Sequence, residues 1–357
     1  MKPYHCLLLV FLIGVSCKKS DTSFTKKKID SLQKDTTKKM DTLPKTDTLP
    51  KIDTGWHEIA AIPGGGRTYA TGFVLNGKGY VCGGVYKFAG DGIKGYDDMY
   101  MYDPAKNTWT LKTGLPDIGY YGTQGRMRPF SFVLNNIAYA GGGISVNGVG
   151  GGDVEQYDAL VDKWTLKAKN YTFDFSAADT CDKKGYIYSY SSAASQTWAY
   201  DPTKSDPLSD VFDNGYLGAN SGSPNTNNTW IVGGFGDLYI GAYGNYFEVR
   251  DLQTGVFSDS NTSLSNATYT QGGPVTTNAV IYKNCIYISM GEEGHLYRYN
   301  LKTNIWQMLT NRTLSITDGV ASFLIGSRLY YVGGNNGLFT ISTDKAWVID
   351  LDLYPEN

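Results

Sequence analysis

From Gly55 onward, short apolar runs are separated by polar and glycine-rich breaks, the pattern of short strands joined by tight turns rather than of long helices. The clearest unit runs Gly79-Tyr80-Val81-Cys82-Gly83-Gly84, then a loop, then Met99-Tyr100-Met101-Tyr102-Asp103-Pro104, then Asn107-Thr108-Trp109. With Asp103 as the anchor, its equivalents are Asp158, Asp201, Asp251, Asn300 and Asp350, at intervals of 55, 43, 50, 49 and 50 residues. Each anchor is predicted to close a strand and open a hairpin turn, its short polar side chain accepting from the backbone ahead. Pro104 and Pro202 follow two of the anchors, where a fixed φ suits the first turn position. Four residues past the anchor, where the turn needs a left-handed backbone, stand Asn107, Asp162, Gly255 and Asn304. Two residues later an aromatic begins the outer strand: Trp109, Trp164, Phe257 and Trp306. The third unit, with Ser205 and Pro207, breaks both rules.

The last anchor, Asp350, has no outer strand after it, and a spare one, Trp56-His57-Glu58-Ile59-Ala60, precedes the first unit. A ring of repeats closes if that N-terminal strand completes the last one, leaving no long free sheet edge. The Gly pairs and the Tyr-Asp-Pro/Trp pattern resemble the kelch family over 55–353, with the Gly pair intact at 83–84, 141–143 and 333–334 and degraded between. The resemblance implies an all-β, six-bladed kelch-type β-propeller, closed by an N-terminal outer strand and spanning 55–357.

Ahead of the repeats, Lys2 and the apolar run Cys6–Val15 read as a signal peptide over 1–17, too short for a mature transmembrane helix. Gly14-Val15-Ser16-Cys17 resembles a loose lipobox, with Gly14 where Leu is usual, so Cys17 is the expected lipidation site. Residues 18–54 hold little that could bury surface and repeat Asp-Thr-Leu-Pro-Lys at 41–45 and 47–51, the composition of a disordered Lys/Thr/Asp-rich tether. Asp30-Ser31-Leu32, Asp35-Thr36-Thr37, Asp41-Thr42-Leu43 and Asp47-Thr48-Leu49 also resemble a bacterial O-glycosylation sequon. These features place the protein on the bacterial envelope, expected at the outer membrane and touching lipid through the anchor alone.

Eleven Lys and six Asp precede Gly55, a charge of +5 that leaves −7 on the repeats out of the chain's −2. An acidic folded body argues against a nucleic-acid partner. Cys82, Cys181 and Cys285 lie far apart in apolar runs with no CxxC or Cys/His spacing, so they read as buried small hydrophobes and no metal or cofactor is expected.

Two kelch enzymes are natural comparisons. The propeller of galactose oxidase holds copper with two Tyr and two His, whereas past Cys17 only His57 and His295 remain. The sialic-acid mutarotases are secreted six-bladed propellers, and Trp56–Arg67 looks like their first blade boundary. Opening a sugar ring needs one group to give a proton and another to take it, and Glu155, Glu292, Glu293 and Asp318 are the carboxylates near the expected funnel. Eight residues before Leu75 and Leu134 stand Arg67 and Arg126, a step that often faces the funnel in kelch domains; the alternative is that each arginine fixes a turn by bonding loop carbonyls. Arg128, Tyr86, Tyr120, Tyr121 and His295 complete the ligand-binding candidates, aromatic faces beside hydrogen-bonding groups that suit sugars or proteins. The expected function is a non-catalytic, monomeric recognition module binding a glycan or an envelope protein through the propeller loops. A sugar mutarotase and a structural subunit of an envelope complex are the alternatives.

Overall fold

The computed structural model describes the chain from residue 55 to 355 except for 89–91, 117–124, 147–149, 170–174, 191–194, 214–228, 235–245, 252–256, 259–279, 291–294, 311–313, 315–318, 336–340 and the single positions 182, 301 and 304. The chain divides into two units, Met1–Lys51 and Ile52–Asn357, and every described residue belongs to the second. Cys17 and the 18–54 segment therefore lie outside the described residues.

The described strands are all antiparallel. β1 is His57–Ile59. The first blade is β2 (Thr71–Leu75), β3 (Lys78–Cys82), β6 (Met99–Asp103) and β7 (Thr108–Lys112), with the hairpin β4 (Val85–Phe88) and β5 (Gly92–Gly95) rising from its loop. The second is β8 (Phe130–Leu134), β9 (Ile137–Gly141), β10 (Asp153–Asp158) and β11 (Lys163–Lys169). The third is β12 (Phe175–Cys181), β13 (Lys184–Tyr190), β14 (Ser195–Tyr200) and β15 (Leu208–Asp213). A three-stranded sheet follows, β16 (Thr229–Gly234), β17 (Tyr246–Asp251) and β18 (Phe257–Ser258). The next blade is β19 (Val280–Tyr282), β20 (Cys285–Met290), β21 (His295–Asn300) and β22 (Ile305–Thr310). The last blade is β23 (Ala321–Ile325), β24 (Arg328–Val332), β25 (Ala346–Asp350) and β1 on the outside.

Innermost strands neighbour one another in the order β19, β23, β2, β8, β12, a propeller arrangement. Where six four-stranded blades are expected, the described residues form five. The shortfall lies at the three-stranded sheet; residues 214–228, which precede it, lie outside the described residues.

Where the turns are described, their chemistry is as the pattern predicts; the turn after Asp251, with Gly255, and Asn304 lie outside the described residues. The anchor carboxylate or amide oxygen accepts from the backbone N–H two residues on at Ala105 (3.0 Å), Leu160 (2.9 Å), Thr203 (3.0 Å), Lys302 (2.9 Å) and Asp352 (3.1 Å). Asn107 and Asp162 take the left-handed conformation (φ 51° and 53°). Each also links two blades. It accepts a tyrosine hydroxyl from its own blade (Tyr102 at 2.9 Å, Tyr157 at 2.6 Å) and a backbone N–H from the neighbouring blade's outer strand (Ala60 at 2.9 Å, Thr113 at 3.0 Å). Trp109 and Trp164 return the bond, each donating its indole N–H to that strand's carbonyl at 2.8 Å. Ala60, just past β1, thus does for the last blade what Thr113 does for the first.

The core is a set of clusters between adjacent blades rather than one central mass. Phe323 and Tyr330 of the last blade pack with Val81, Tyr100 and Tyr102 of the first. Phe73, Tyr80 and Cys82 pack with Ala140, Tyr157 and Trp164 of the second, and Phe132 and Tyr139 with Ile187 and Tyr200 of the third. Gly79 and Gly185 are required by this packing: a Cβ would fall 2.2 Å from the ring of Phe323 and 2.4 Å from that of Phe132.

Candidate functional site

The candidate site lies where the chain passes from an outer strand into the next inner one, the end of each blade that carries the Gly pairs. Here the first two blades repeat one construction. Arg67 is 1% exposed and donates Nη1–H to Asp98 Oδ1 at 2.5 Å and to the Gly83 carbonyl at 3.4 Å, and Nη2–H to Asp98 Oδ2 and the Pro63 carbonyl. Arg126, 8% exposed, donates Nη1–H to Asp153 Oδ1 at 2.6 Å and to the Gly142 carbonyl at 3.4 Å, and Nη2–H to the Pro116 carbonyl. The guanidinium of Arg67 also lies over the rings of Tyr96 (4.5 Å) and Tyr100 (5.4 Å). Each arginine's own carbonyl accepts from the second glycine of the blade before it: Gly334 into Arg67 and Gly84 into Arg126. The two residues thus fix turns and tie neighbouring blades, with their terminal guanidinium nitrogens bonded within the protein. The repeat pattern singles out the arginines but not Asp98 and Asp153. A signal for the two acids was present: both stand five residues before an anchor.

Two residues along β10 from Asp153, on the same face of the strand, stands Glu155, 3% exposed. Burial, then the Asp153 charge, pushes its carboxyl up to about 7, with Arg126 pulling the other way. Glu155 Oε2, Asp153 Oδ2 and Arg67 Nε are buried without a hydrogen-bond partner among the described residues. Cys82 lies within the field of both arginines and Asp98, and burial lifts its thiol to about 12, the behaviour of an inert core cysteine.

Next to each arginine runs a second repeated feature. Tyr69 (φ 59°), Arg128 (φ 56°) and Gly319 (φ 71°) are equivalent left-handed residues at the foot of the inner strands. They are linked across blades: Tyr69 N–H donates to Gly319 O at 2.7 Å and Arg128 N–H to Tyr69 O at 2.8 Å. For Tyr and Arg this backbone is strained, on the order of 1 kcal/mol or more each, and such strain clusters at functional sites. The half-buried Arg128 guanidinium lies 4.4 Å from the Tyr69 ring centroid. No sequence signal marks Tyr69, since nothing in a chain announces a left-handed tyrosine.

The other candidates are dispersed. Tyr86 is on β4, paired with Lys94 of β5, and His295 opens β21 opposite Met290, its ring edge-on to Tyr297 at 6.4 Å. Tyr120, Tyr121, Glu292 and Asp318 lie outside the described residues. Among the described residues no group of three or more His, Cys, Asp or Glu could hold a metal ion.

Residues 66–116, which hold Arg67, the Gly pair, Asp98 and the first anchor, match the Kelch motif. The chain carries a kelch repeat. It is also 31% identical over 146 residues to the N-acetylneuraminate epimerase of Shigella sonnei (strain Ss046), covering 41% of this chain and 38% of the relative. Similar are the N-acetylneuraminate epimerases of Escherichia coli O1:K1 / APEC, with the same identity and coverage, and of Salmonella typhi, at 31% over 136 residues, covering 38% of this chain and 29% of the relative. The likeness spans less than two fifths of the length of these relatives.

Proposed function

We propose that this kelch protein is a six-bladed ring that binds a sialic-acid-class sugar at the Gly-pair end and interconverts its ring forms. In this reading β16–β18 belongs to the remaining blade, β1 closes the ring, and acylated Cys17 holds the protein on the envelope. The observation that carries the proposal is the 31% identity, over 146 residues, to N-acetylneuraminate epimerases. Arg128 on the Tyr69 ring supports it, since a cation beside an aromatic face suits both the carboxylate and the apolar side of such a sugar. Binding without catalysis is the second reading. It is favoured because Arg67 and Arg126, the cations nearest the acids, are engaged with Asp98 and Asp153 rather than turned to a ligand.

The test is a proton-NMR time course of freshly released N-acetylneuraminate with the full chain present, together with sugar binding by calorimetry. Accelerated equilibration of the anomers, reduced at least tenfold in Arg128→Ala at unchanged melting temperature, is the expected result. Saturable binding with no acceleration would remove the epimerase and leave recognition. Absence of both would remove the sialic-acid reading.

A further inference from the structure

One backbone bond onto the Gly pair recurs in the first, second and last blades. Tyr96 N–H donates to Gly84 O at 2.9 Å, Gly151 to Gly143 at 2.7 Å and Thr343 to Gly334 at 2.8 Å. A construction that accepts glycine or threonine at this position does not need a tyrosine. In the first blade, however, the Tyr96 ring lies beside two cations, with Arg67 Cζ 4.5 Å and Lys94 Nζ 5.2 Å from its centroid. Arg67 is held by both oxygens of Asp98, whereas the exposed Lys94 makes no ion pair with a described carboxylate, its neighbour Asp97 included. Tyr96 is 8% exposed, and its hydroxyl makes no hydrogen bond with a described residue. Burial pushes that hydroxyl up, with Arg67 pulling the other way, so it is a neutral donor at neutral pH. Gly65, at φ 108°, passes close to the same oxygen, and a Cβ there would crowd it at 3.0 Å. Tyr86 stands directly opposite Lys94 across the β4–β5 hairpin, which puts the two side chains on one face.

We propose that Lys94 and the Tyr96 hydroxyl form an anion subsite that takes the carboxylate of a sugar acid, with Tyr86 beside it against the sugar's apolar side. An ammonium and a phenol hydroxyl, neither with a described partner for its protons, are a donor set matched to an acceptor-only carboxylate. Around the Tyr96 ring two cations meet one carboxylate, Asp98, so Lys94 is left without a counter-charge among the described residues. The subsite adjoins the left-handed row described above. Val85, next to Tyr86, pairs with Thr68, the residue before Tyr69, so the hairpin starts at the end of the blade that holds Arg128. The inference rests on the sugar binding proposed above. It assigns the carboxylate to Lys94 and leaves Arg128 and the Tyr69 ring to the rest of the sugar.

The test is calorimetric titration of the full chain with N-acetylneuraminate and with its methyl ester, which keeps the sugar and lacks the charge. The parent is expected to bind the acid about tenfold or more tightly than the ester. Lys94→Gln should bring the two within about twofold, by weakening the acid and not the ester, and Tyr96→Phe should weaken the acid about fivefold. Both variants should melt with the parent, because the exposed ammonium touches only a ring among the described residues and phenylalanine keeps that ring. Equal affinity of the parent for acid and ester overturns the subsite and leaves the sugar reading standing. A Lys94→Gln loss that is absent, or the same for both, does likewise. Glucuronate, a sugar acid of another shape, separates the two readings. Lys94-dependent binding of glucuronate without binding of N-acetylneuraminate would keep the subsite and remove the sialic-acid reading. Binding of neither acid overturns the subsite.

Discussion

Among the described residues, Glu155 is a buried carboxyl whose protonation bears on stability. Its ordinary value is 4.5 and burial raises it to about 7 in the folded chain, so the folded state binds a proton more tightly than the unfolded one. The stabilisation is complete below 4.5 and is lost as pH rises through about 7. Glu155→Gln removes the titration while keeping the shape. Thermal melts should show parent and variant alike near pH 5, and the variant more stable by about 1–2 kcal/mol near pH 8. The same difference at both pH values would mean that Glu155 does not titrate between them. Its neighbours answer to a different rule. Arg126 and Asp153 are a buried, hydrogen-bonded pair, so Asp153→Ala leaves a cation without its partner and should cost about 3–5 kcal/mol in denaturant unfolding. Asp158→Ala, five residues on and exposed, removes only a turn bond and should cost about 1 kcal/mol. Equal losses would mean that the buried pair contributes no more to stability than a surface turn.

Among the elements, β1 has the most to do for its three residues. It covers the outer edge of β25, while Trp56 packs on Tyr331 at 4.6 Å and Ala60 exchanges bonds with Asn107 and Trp109 of the first blade. Deleting 55–62 uncovers that edge and removes Trp56 and Ile62 from two separate inter-blade clusters. The expected outcome is insoluble protein, or a melting temperature lower by roughly ten degrees or more. A truncated chain that melts like the parent would show that β1 is dispensable to the last blade. Packing between blades also accounts for the glycines of the second strands: Gly79→Ala would push a methyl into the Phe323 ring, a loss of about 1–3 kcal/mol that Phe323→Leu should partly relieve.

At the scale of the molecule, the last blade is tied to both neighbours. β1 and Ala60 join it to the first blade, and the residues after β25 join it to the β19–β22 blade. There the buried Arg298 donates to the carbonyls of Tyr354 (2.8 Å) and Pro355 (3.0 Å) and to Gln307 Oε1 (2.5 Å). Asp352 meets Lys283 at 2.7 Å and Tyr282 at 2.8 Å on the surface. Of these, the buried bonds should carry the stability. Arg298→Ala is expected to lower unfolding stability by about 2–3 kcal/mol, whereas Lys283→Ala should leave the melting temperature unchanged. The reverse ranking would assign the clasp to the surface ion pair.

The chain by itself determined the repeat, because every blade must reverse direction after its third strand and only a few side chains can do so. Asp103, Asp158, Asp201, Asn300 and Asp350 each accept the predicted bond, and Trp109 and Trp164 lie where the spacing puts them. β1 pairs with β25 as the spare N-terminal strand required. Local chemistry of that kind reads directly from residue type and offset. Tertiary structure decided what the arginines do. From sequence, Arg67 and Arg126 could face a ligand or fix a turn, and the choice depends on Asp98 and Asp153, which lie 31 and 27 residues away and reach them only when strands from one sheet stack side by side. The left-handed backbone of Tyr69 and Arg128 was equally illegible, since it is imposed by carbonyls of the neighbouring blades. Folding also set the Glu155 carboxyl near 7, because desolvation is a property of the packed interface between blades and not of the strand that carries the residue.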